Sequence, residues 1–103
     1  MTNKRILLGE SKKAKVNLLD GTMELEFPVI TVKSMEGLLD GKLSEKEKYL
    51  ETKKLVLRVL ERNFSDATMA DVENMPISNM EAILNTLFKL NGWDIENKNP
   101  LGE

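Results

Sequence analysis

With His and Cys absent, paired carboxylates are the candidates in this sequence for proton-transfer chemistry. Glu24 and Glu26 stand two apart in an alternating run, and Glu45 and Glu47 sit at the start of a helical pattern. Such a pair does general acid and base work when a partly buried pocket drives the two pKa values apart. The expected surroundings oppose this. Glu24 and Glu26 face Asn17 and Lys15 across a hairpin, and Glu47 is committed to capping a helix. The 103 residues contain no Cys and no His, which excludes thiol nucleophiles, disulfides, imidazole bases and the usual zinc ligands. Phosphate loops of the G-x-x-x-x-G-K type, G-x-G-x-x-G, G-x-S-x-G and calcium loops are absent as well. The expectation is a protein that is not an enzyme, with no catalytic, cofactor-binding or metal-binding residues.

The elements that position these groups begin with a hairpin. In the run Lys15-Val16-Asn17-Leu18-Leu19-Asp20-Gly21-Thr22-Met23-Glu24-Leu25-Glu26-Phe27, apolar and polar residues alternate on both sides of Asp20-Gly21, a dipeptide suited to a type I′ turn. A two-residue loop there pairs Leu19 with Thr22, Leu18 with Met23, Val16 with Leu25 and Ala14 with Phe27, so one face is apolar. The other face sets Asn17 against Glu24 and Lys15 against Glu26. Pro28 falls just past the pairing, where its missing N–H costs little. A two-stranded ribbon is marginal alone, so its apolar face must lie on helices or on a third short strand such as residues 5–8.

After residue 31 the apolar period lengthens to about 3.6 residues. Thr31 caps a short helix with Val32, Met35, Leu38 and Leu39 on one side, ended by Asp40-Gly41. Ser44-Glu45-Lys46-Glu47 is a capping box that opens a long helix running to about Arg62. Along it Tyr49, Leu50, Val56, Leu57, Leu60 and Phe64 share an arc, interrupted by Lys53, whose stem can lie on the core with its ammonium in water. Leu55 and Val59 fall on the far side. Either a second element of the same chain covers them, or they contact another molecule. Thr68-Met69-Ala70-Asp71 reads as a second capping box before a short helix stopped at Met75-Pro76, and Ser78-Asn79-Met80-Glu81 as a third. The last helix carries Met80, Ile83, Leu84, Leu87, Phe88 and Leu90 and ends at Asn91-Gly92, with Trp93 placed to fold back on its final turn.

The fold class is therefore α+β, an N-terminal β-hairpin packed on a small bundle of about four helices. Residues 1–13 read as a basic arm, 14–93 as a single domain and 94–103 as a flexible polar tail. Overall charge is −2, with 15 basic and 17 acidic residues. It is unevenly spread, because residues 1–15 carry Lys4, Arg5, Lys12, Lys13 and Lys15 against Glu10, while residues 64–103 are acidic. Nucleic-acid binding is not expected. The helices around Met75-Pro76 have helix-turn-helix spacing, but the second has Glu81 in its first turn and Lys89 as its only cation. No apolar stretch is long enough to span a bilayer or to serve as a signal peptide, so a cytoplasmic location is expected.

One resemblance bears on function. The Asp20-Gly21 hairpin, the strand 23–27 running into Pro28, and Ile30-Thr31-Val32-Lys33-Ser34-Met35 opening a helix are similar to small tail assembly chaperones of long-tailed bacteriophages and prophages. There a strand of the form dG…L…P.TV.dL precedes a helical region. Residues 64–75 and the last helix ending Leu90-Asn91-Gly92 also resemble them, so the likeness covers roughly residues 15–93. Ser34 replaces the acid often found at that helix start. The resemblance implies a non-enzymatic protein of the bacterial host cytoplasm that binds the tape measure protein and assists tail tube protein polymerisation. It also implies absence from the mature virion, and a frameshifted longer form is common in such families. Such work needs exposed apolar contacts, for which Leu55, Val59, Met35, Leu38 and Leu39 are candidates, together with the apolar tip of the hairpin. A homo-oligomer is compatible with the charge polarity. The alternatives are a structural or connector protein of a phage tail or head, and a small bacterial adaptor or regulatory protein.

Overall fold

The computed structural model of the chain describes residues 8–39 and 41–92, without the side chains of residues 37–39. Two strands, β1 (Lys12–Leu18) and β2 (Gly21–Phe27), form an antiparallel hairpin. Four helices follow, α1 (Val32–Leu39), α2 (Glu45–Asn63), α3 (Met69–Asn74) and α4 (Ile77–Leu90). The architecture is α+β as expected. β1 packs against α4 and β2 against α2, while α2 also touches α1, α3 and α4. The long helix is thus the hub, and the hairpin lies across it and α4.

The turn sits one residue earlier than the sequence implies. Leu19 and Asp20 form the loop, Leu18 pairs with Gly21, Val16 with Met23, Ala14 with Leu25 and Lys12 with Phe27. Moving a turn by one residue shifts the register by two, and a shift of two leaves every side chain on its own face. The apolar pattern therefore fixes the faces without fixing the register. Two local effects favour the observed pairing. On the outer face Lys13 now lies opposite Glu26 and Lys15 opposite Glu24, giving two opposite-charge pairs where the expected register gives one. Asn17 lies opposite Thr22, whose hydroxyl donates to Asn17 Oδ1 at 3.1 Å. Gly21 opens β2 at a φ of 153°, a value that side chains with a Cβ rarely adopt. β1 also begins at Lys12, so the strand includes residues assigned above to the basic arm. Of the possible third strand, only Leu8 falls within the described residues.

Helix starts follow local chemistry. The Ser34 N–H donates to Thr31 Oγ1 at 3.1 Å, which makes Thr31 the cap of α1. At α2 the Glu47 N–H donates to Ser44 Oγ at 3.1 Å and the Ser44 N–H to Glu47 Oε1 at 2.9 Å, completing the box. At α3 the Asp71 carboxylate accepts the Thr68 N–H at 2.9 Å. The third box does not form. α4 begins at Ile77 behind Pro76, whose carbonyl accepts the Asn79 and Met80 N–H groups at 3.0 and 3.2 Å. Proline presets the entry angle there, and the Asn79 side chain is free for a tertiary contact. At the other end Gly92 adopts a φ of 85° and its N–H reaches the Lys89 carbonyl at 3.1 Å, as a left-handed helix terminus requires.

The core stripe of α2 is rotated from the expected one. Leu55, Val56, Val59 and Leu60 are buried, whereas Tyr49, Leu50 and Phe64 are about half exposed. The neighbours explain this, since Val16, Leu25 and Phe27 of the hairpin, Met35, Val72 and the Met80, Ile83, Leu84 and Leu87 face of α4 join one core with those four residues. Tyr49 and Leu50 lie in the first turns of α2, at the end opposite the Asn63 that meets the hairpin. The Lys53 side chain is 17% exposed, with its ammonium paired to Glu73 Oε2 at 3.0 Å rather than left in water as expected. Val32, expected on the apolar side of α1, is 83% exposed.

Three asparagines, two within helices and one capping the last helix, bind the backbone of the ribbon and of the segment after it. Asn63 Oδ1 accepts the Glu26 N–H at 2.8 Å, and its Nδ2 donates to the Glu26 carbonyl at 2.9 Å and to the Val59 carbonyl at 2.8 Å. Asn91 repeats the device: Oδ1 accepts the Ile30 N–H at 2.8 Å, and Nδ2 donates to the Pro28 carbonyl at 3.2 Å and the Leu87 carbonyl at 2.9 Å. Asn79 Oδ1 accepts the Leu19 N–H at the hairpin tip at 2.8 Å.

Two outcomes check this packing by urea denaturation. Leu55→Ala lowers stability by about 2–5 kcal/mol, as expected for an emptied core position, and Leu50→Ala costs distinctly less. Equal losses contradict the rotated stripe. Asn63→Ala leaves both polar groups of Glu26 without their amide partner and costs about 1–3 kcal/mol; a neutral substitution contradicts the role given to this side chain.

Candidate interaction surface

The carboxylates singled out for chemistry are occupied or exposed. Glu24 and Glu45 are exposed on the surface, and Glu47 closes the capping box. Glu26 has the most structured environment. Its Oε2 accepts the Ser11 hydroxyl at 2.7 Å and the Arg62 Nε–H at 3.3 Å, while Arg62 Nη2 donates to Ser11 Oγ at 3.1 Å. The Ser11 hydrogen bond, with the charges of Arg62 and Lys13 in support, holds the Glu26 carboxyl below its ordinary range despite an opposing contribution from desolvation. A carboxylate kept ionised in this way joins the start of β1, the end of β2 and the last turn of α2. It is poorly suited to donating a proton. Among the described residues no group of three or more acids could hold a metal ion, and no helix is long and apolar enough to cross a membrane.

The apolar candidates separate sharply. Leu55, Val59 and Met35 are buried within the chain's own core, so they are corrected from partner-facing to structural positions. The hairpin and the other helices cover them, which is the intramolecular alternative for Leu55 and Val59. Leu38 and Leu39 belong to α1, but their side chains lie outside the described residues. The hairpin tip is different. Leu19 is 65% exposed, Met23 is 42% exposed, and Ile77 at the start of α4 is 71% exposed.

Their placement has a structural cause. Along β2 the row that faces the helices runs Phe27, Leu25, Met23, and burial ends between Leu25 and Met23. The ribbon is longer than its support. The bond from Leu19 to Asn79 anchors the overhanging turn beside the first turn of α4, which brings Leu19 and Ile77 to the same end of the molecule.

A second apolar feature lies at the opposite end of the hairpin. Leu8, Val29, Ile30, Val32 and Leu90 line a cleft of about 420 Å³, with Gly9, Glu10, Lys12, Thr31 and Asn91 completing its walls. Gly9 lies beside Val29 at a φ of 79°, a left-handed conformation that favours glycine. A shallower hollow of about 270 Å³ between Pro28, Arg58, Glu61 and Arg62 is polar, and Arg58 there donates to Ser34 Oγ at 2.6 Å.

Sequence reasoning overlooked the asparagine contacts and the exposure of Ile77. Asn63 and Asn91 carry a signal, since asparagine is a weak helix former that recurs at helix ends, but their tertiary targets are not local. Ile77 reads as part of a Pro-Ile break rather than as the first residue of a helix. Comparisons with protein-family models, with curated proteins and with solved structures give no match.

The Glu26 cluster predicts a titration. A carboxyl whose pKa is lowered by folding stabilises the fold above its unfolded-state pKa, and that contribution disappears as pH falls through the folded-state value. Ser11→Ala removes the largest lowering cause, so the Glu26 pKa followed by carboxyl NMR should rise towards the ordinary range. The acid-linked loss of stability from this group, which spans the interval between its unfolded- and folded-state values, should then shrink. An unchanged Glu26 titration contradicts the cluster.

Proposed function

We propose that this chain is a tail assembly chaperone of the long-tailed phage type, which holds apolar segments of the tape measure protein and assists tail tube polymerisation in the bacterial cytoplasm. The reading is supported by where the resemblance-bearing residues fall. Asp20 lies in the hairpin turn and Gly21 opens β2, β2 runs into Pro28, Thr31 caps α1, and the last amphipathic helix is followed by Gly92 in a left-handed conformation. The observation that carries the contact surface is the exposed trio Leu19, Met23 and Ile77, held at one end by the Leu19–Asn79 bond. A chaperone must release its client, and a few overhanging apolar side chains suit reversible capture better than an extensive core-like interface.

In this mechanism the hairpin and helices are the rigid part and the tip is the working part. Leu19 and Met23 come from a ribbon whose other end is fixed, so the tip presents apolar area without unfolding the domain. Exposed apolar groups of a tape measure helix pack on it and leave water, and the tube subunits displace the chaperone as they polymerise.

Co-expression with a tape measure protein encoded beside this chain tests the reading. The wild-type chain should keep that protein soluble and co-purify with it. The variant Leu19→Asp with Ile77→Asp should fold with the wild-type thermal transition yet lose capture by about tenfold or more, equivalent to about 1.4 kcal/mol. A tape measure protein that stays insoluble and unbound, or undiminished capture by the variant, contradicts the proposal. Recovery of the chain in purified virions favours the structural or connector alternative.

A further inference from the structure

The hairpin has two outer edges, and they differ. Glu26 of β2 turns its N–H and carbonyl away from β1, and Asn63 takes both. In an antiparallel ladder two residues that face each other turn their backbone groups either towards one another or both outward. Lys13, opposite Glu26, therefore points its N–H and carbonyl out of the free side of β1, and Lys15 and Asn17 follow at every second position. No bond to these backbone groups is formed among the described residues, and all three residues are exposed. The edge also carries charge. Lys12, Lys13, Lys15 and Arg62 stand against Glu24 and Glu26, and Glu26 is already engaged by Ser11 and Arg62. On the inner face Val16 is buried, but Ala14 and Leu18 on either side of it are only partly so. A strand laid along this edge meets cations on one face and incomplete apolar cover on the other.

We propose that the free edge of β1 docks an extended acidic segment of a partner protein, which adds antiparallel as a third strand with acids opposite Lys13 and Lys15 and apolar residues opposite Ala14 and Val16. The chain already contains a strand of this pattern, because Glu24-Leu25-Glu26 of β2 presents it to the other side of β1. Backbone hydrogen bonds hold the added strand, and its alternate side chains decide which segment is accepted. A second copy is a poor occupant. β1 laid antiparallel on its own copy over its full length sets Lys15 beside Lys15, and like charges directly opposite are destabilising. A nucleic acid offers phosphates without the alternating amide donors and acceptors that this edge matches. The inference does not rest on the chaperone reading, whose surface is the hairpin tip.

The probe is a capped peptide of alternating Glu and Val, matched to the seven residues of β1 and added to the full chain at low salt. It should bind, and hydrogen exchange should show the Lys13, Lys15 and Asn17 amides becoming protected. In the docked geometry the Glu N–H groups of the peptide point at β1 and the Val N–H groups point away. N-methylation of its Glu residues should therefore abolish binding, while N-methylation of its Val residues should leave binding within a few-fold. Lys13→Thr with Lys15→Thr keeps strand-forming side chains and removes the charges, and it should weaken binding by about tenfold or more. Absence of binding overturns the proposal. So does equal binding by the Glu-methylated peptide, or by a peptide of the same composition with its acids grouped at one end, because either result reduces the contact to charge. Protection at Thr22 and Glu24 instead, undiminished binding by the double variant, or tighter binding of an oligothymidylate also overturns it. Concentration-dependent protection of the β1 edge without peptide assigns the edge to a second copy and overturns it equally. If the double variant does not fold, the two methylated peptides decide on the wild-type chain.

Discussion

A two-stranded ribbon has an open hydrogen-bonding edge on each side and too little area to hold itself in water. In this chain side-chain amides at the ends of α2 and α4 bind part of the open edge, at Glu26 of β2 and in the segment just after the strand. The Asn63 amide meets both the N–H and the carbonyl of Glu26, as a neighbouring strand would, while holding the Val59 carbonyl of its own helix. Asn91 does the same for Pro28 and Ile30 while holding Leu87. Each asparagine is thus fixed to its helix and presents a preset donor and acceptor to the extended chain. The apolar face of the hairpin supplies the driving force, and the amides set where along the helices it comes to rest.

The rest of the architecture depends on that placement. With Glu26 held at the end of α2, Val16, Leu25 and Phe27 come down on the C-terminal half of that helix and on α4. Leu55 and Val59 then face inward along with Val56 and Leu60, and the first turns of α2 keep Tyr49 and Leu50 half exposed. The same placement determines what remains outside. The ribbon overhangs its support at Leu19 and Met23, and at its other end the segment 28–31 forms a wall of an apolar cleft. One constraint therefore produces the buried core, the exposed tip and the cleft.

Much of this was legible in the residues themselves. Alternation around Asp20-Gly21 specified a hairpin and its faces, and Thr31, Ser44 and Gly92 marked helix boundaries through bonds that span only a few positions. The register was not legible, because pairings two residues apart bury the same side chains and differ in outer-face pairs and in one contact with Asn79. The α2 stripe was misplaced for a related reason. Leu50, Val56, Leu57 and Leu60 make a plausible apolar arc, and so do Leu55, Val56, Val59 and Leu60; the choice between them belongs to the neighbours. Asn79 reads locally as part of a helix cap, whereas its partner lies 60 positions away. The surface residues followed the same rule: Leu55 and Val59 looked available only while the hairpin had no position, and the hairpin tip became the exposed candidate once it had one.

The central claim is that side-chain amides from the helices bind the ribbon's backbone into one cooperative unit. Amide hydrogen exchange tests it most directly at Glu26 and Ile30, whose N–H groups bond to Asn63 and Asn91 rather than to another backbone group. The account predicts that both exchange only with an opening free energy close to that of Val56 and Val59 in α2. Exchange at Glu26 and Ile30 as fast as in an unprotected loop, while α2 stays protected, would contradict it.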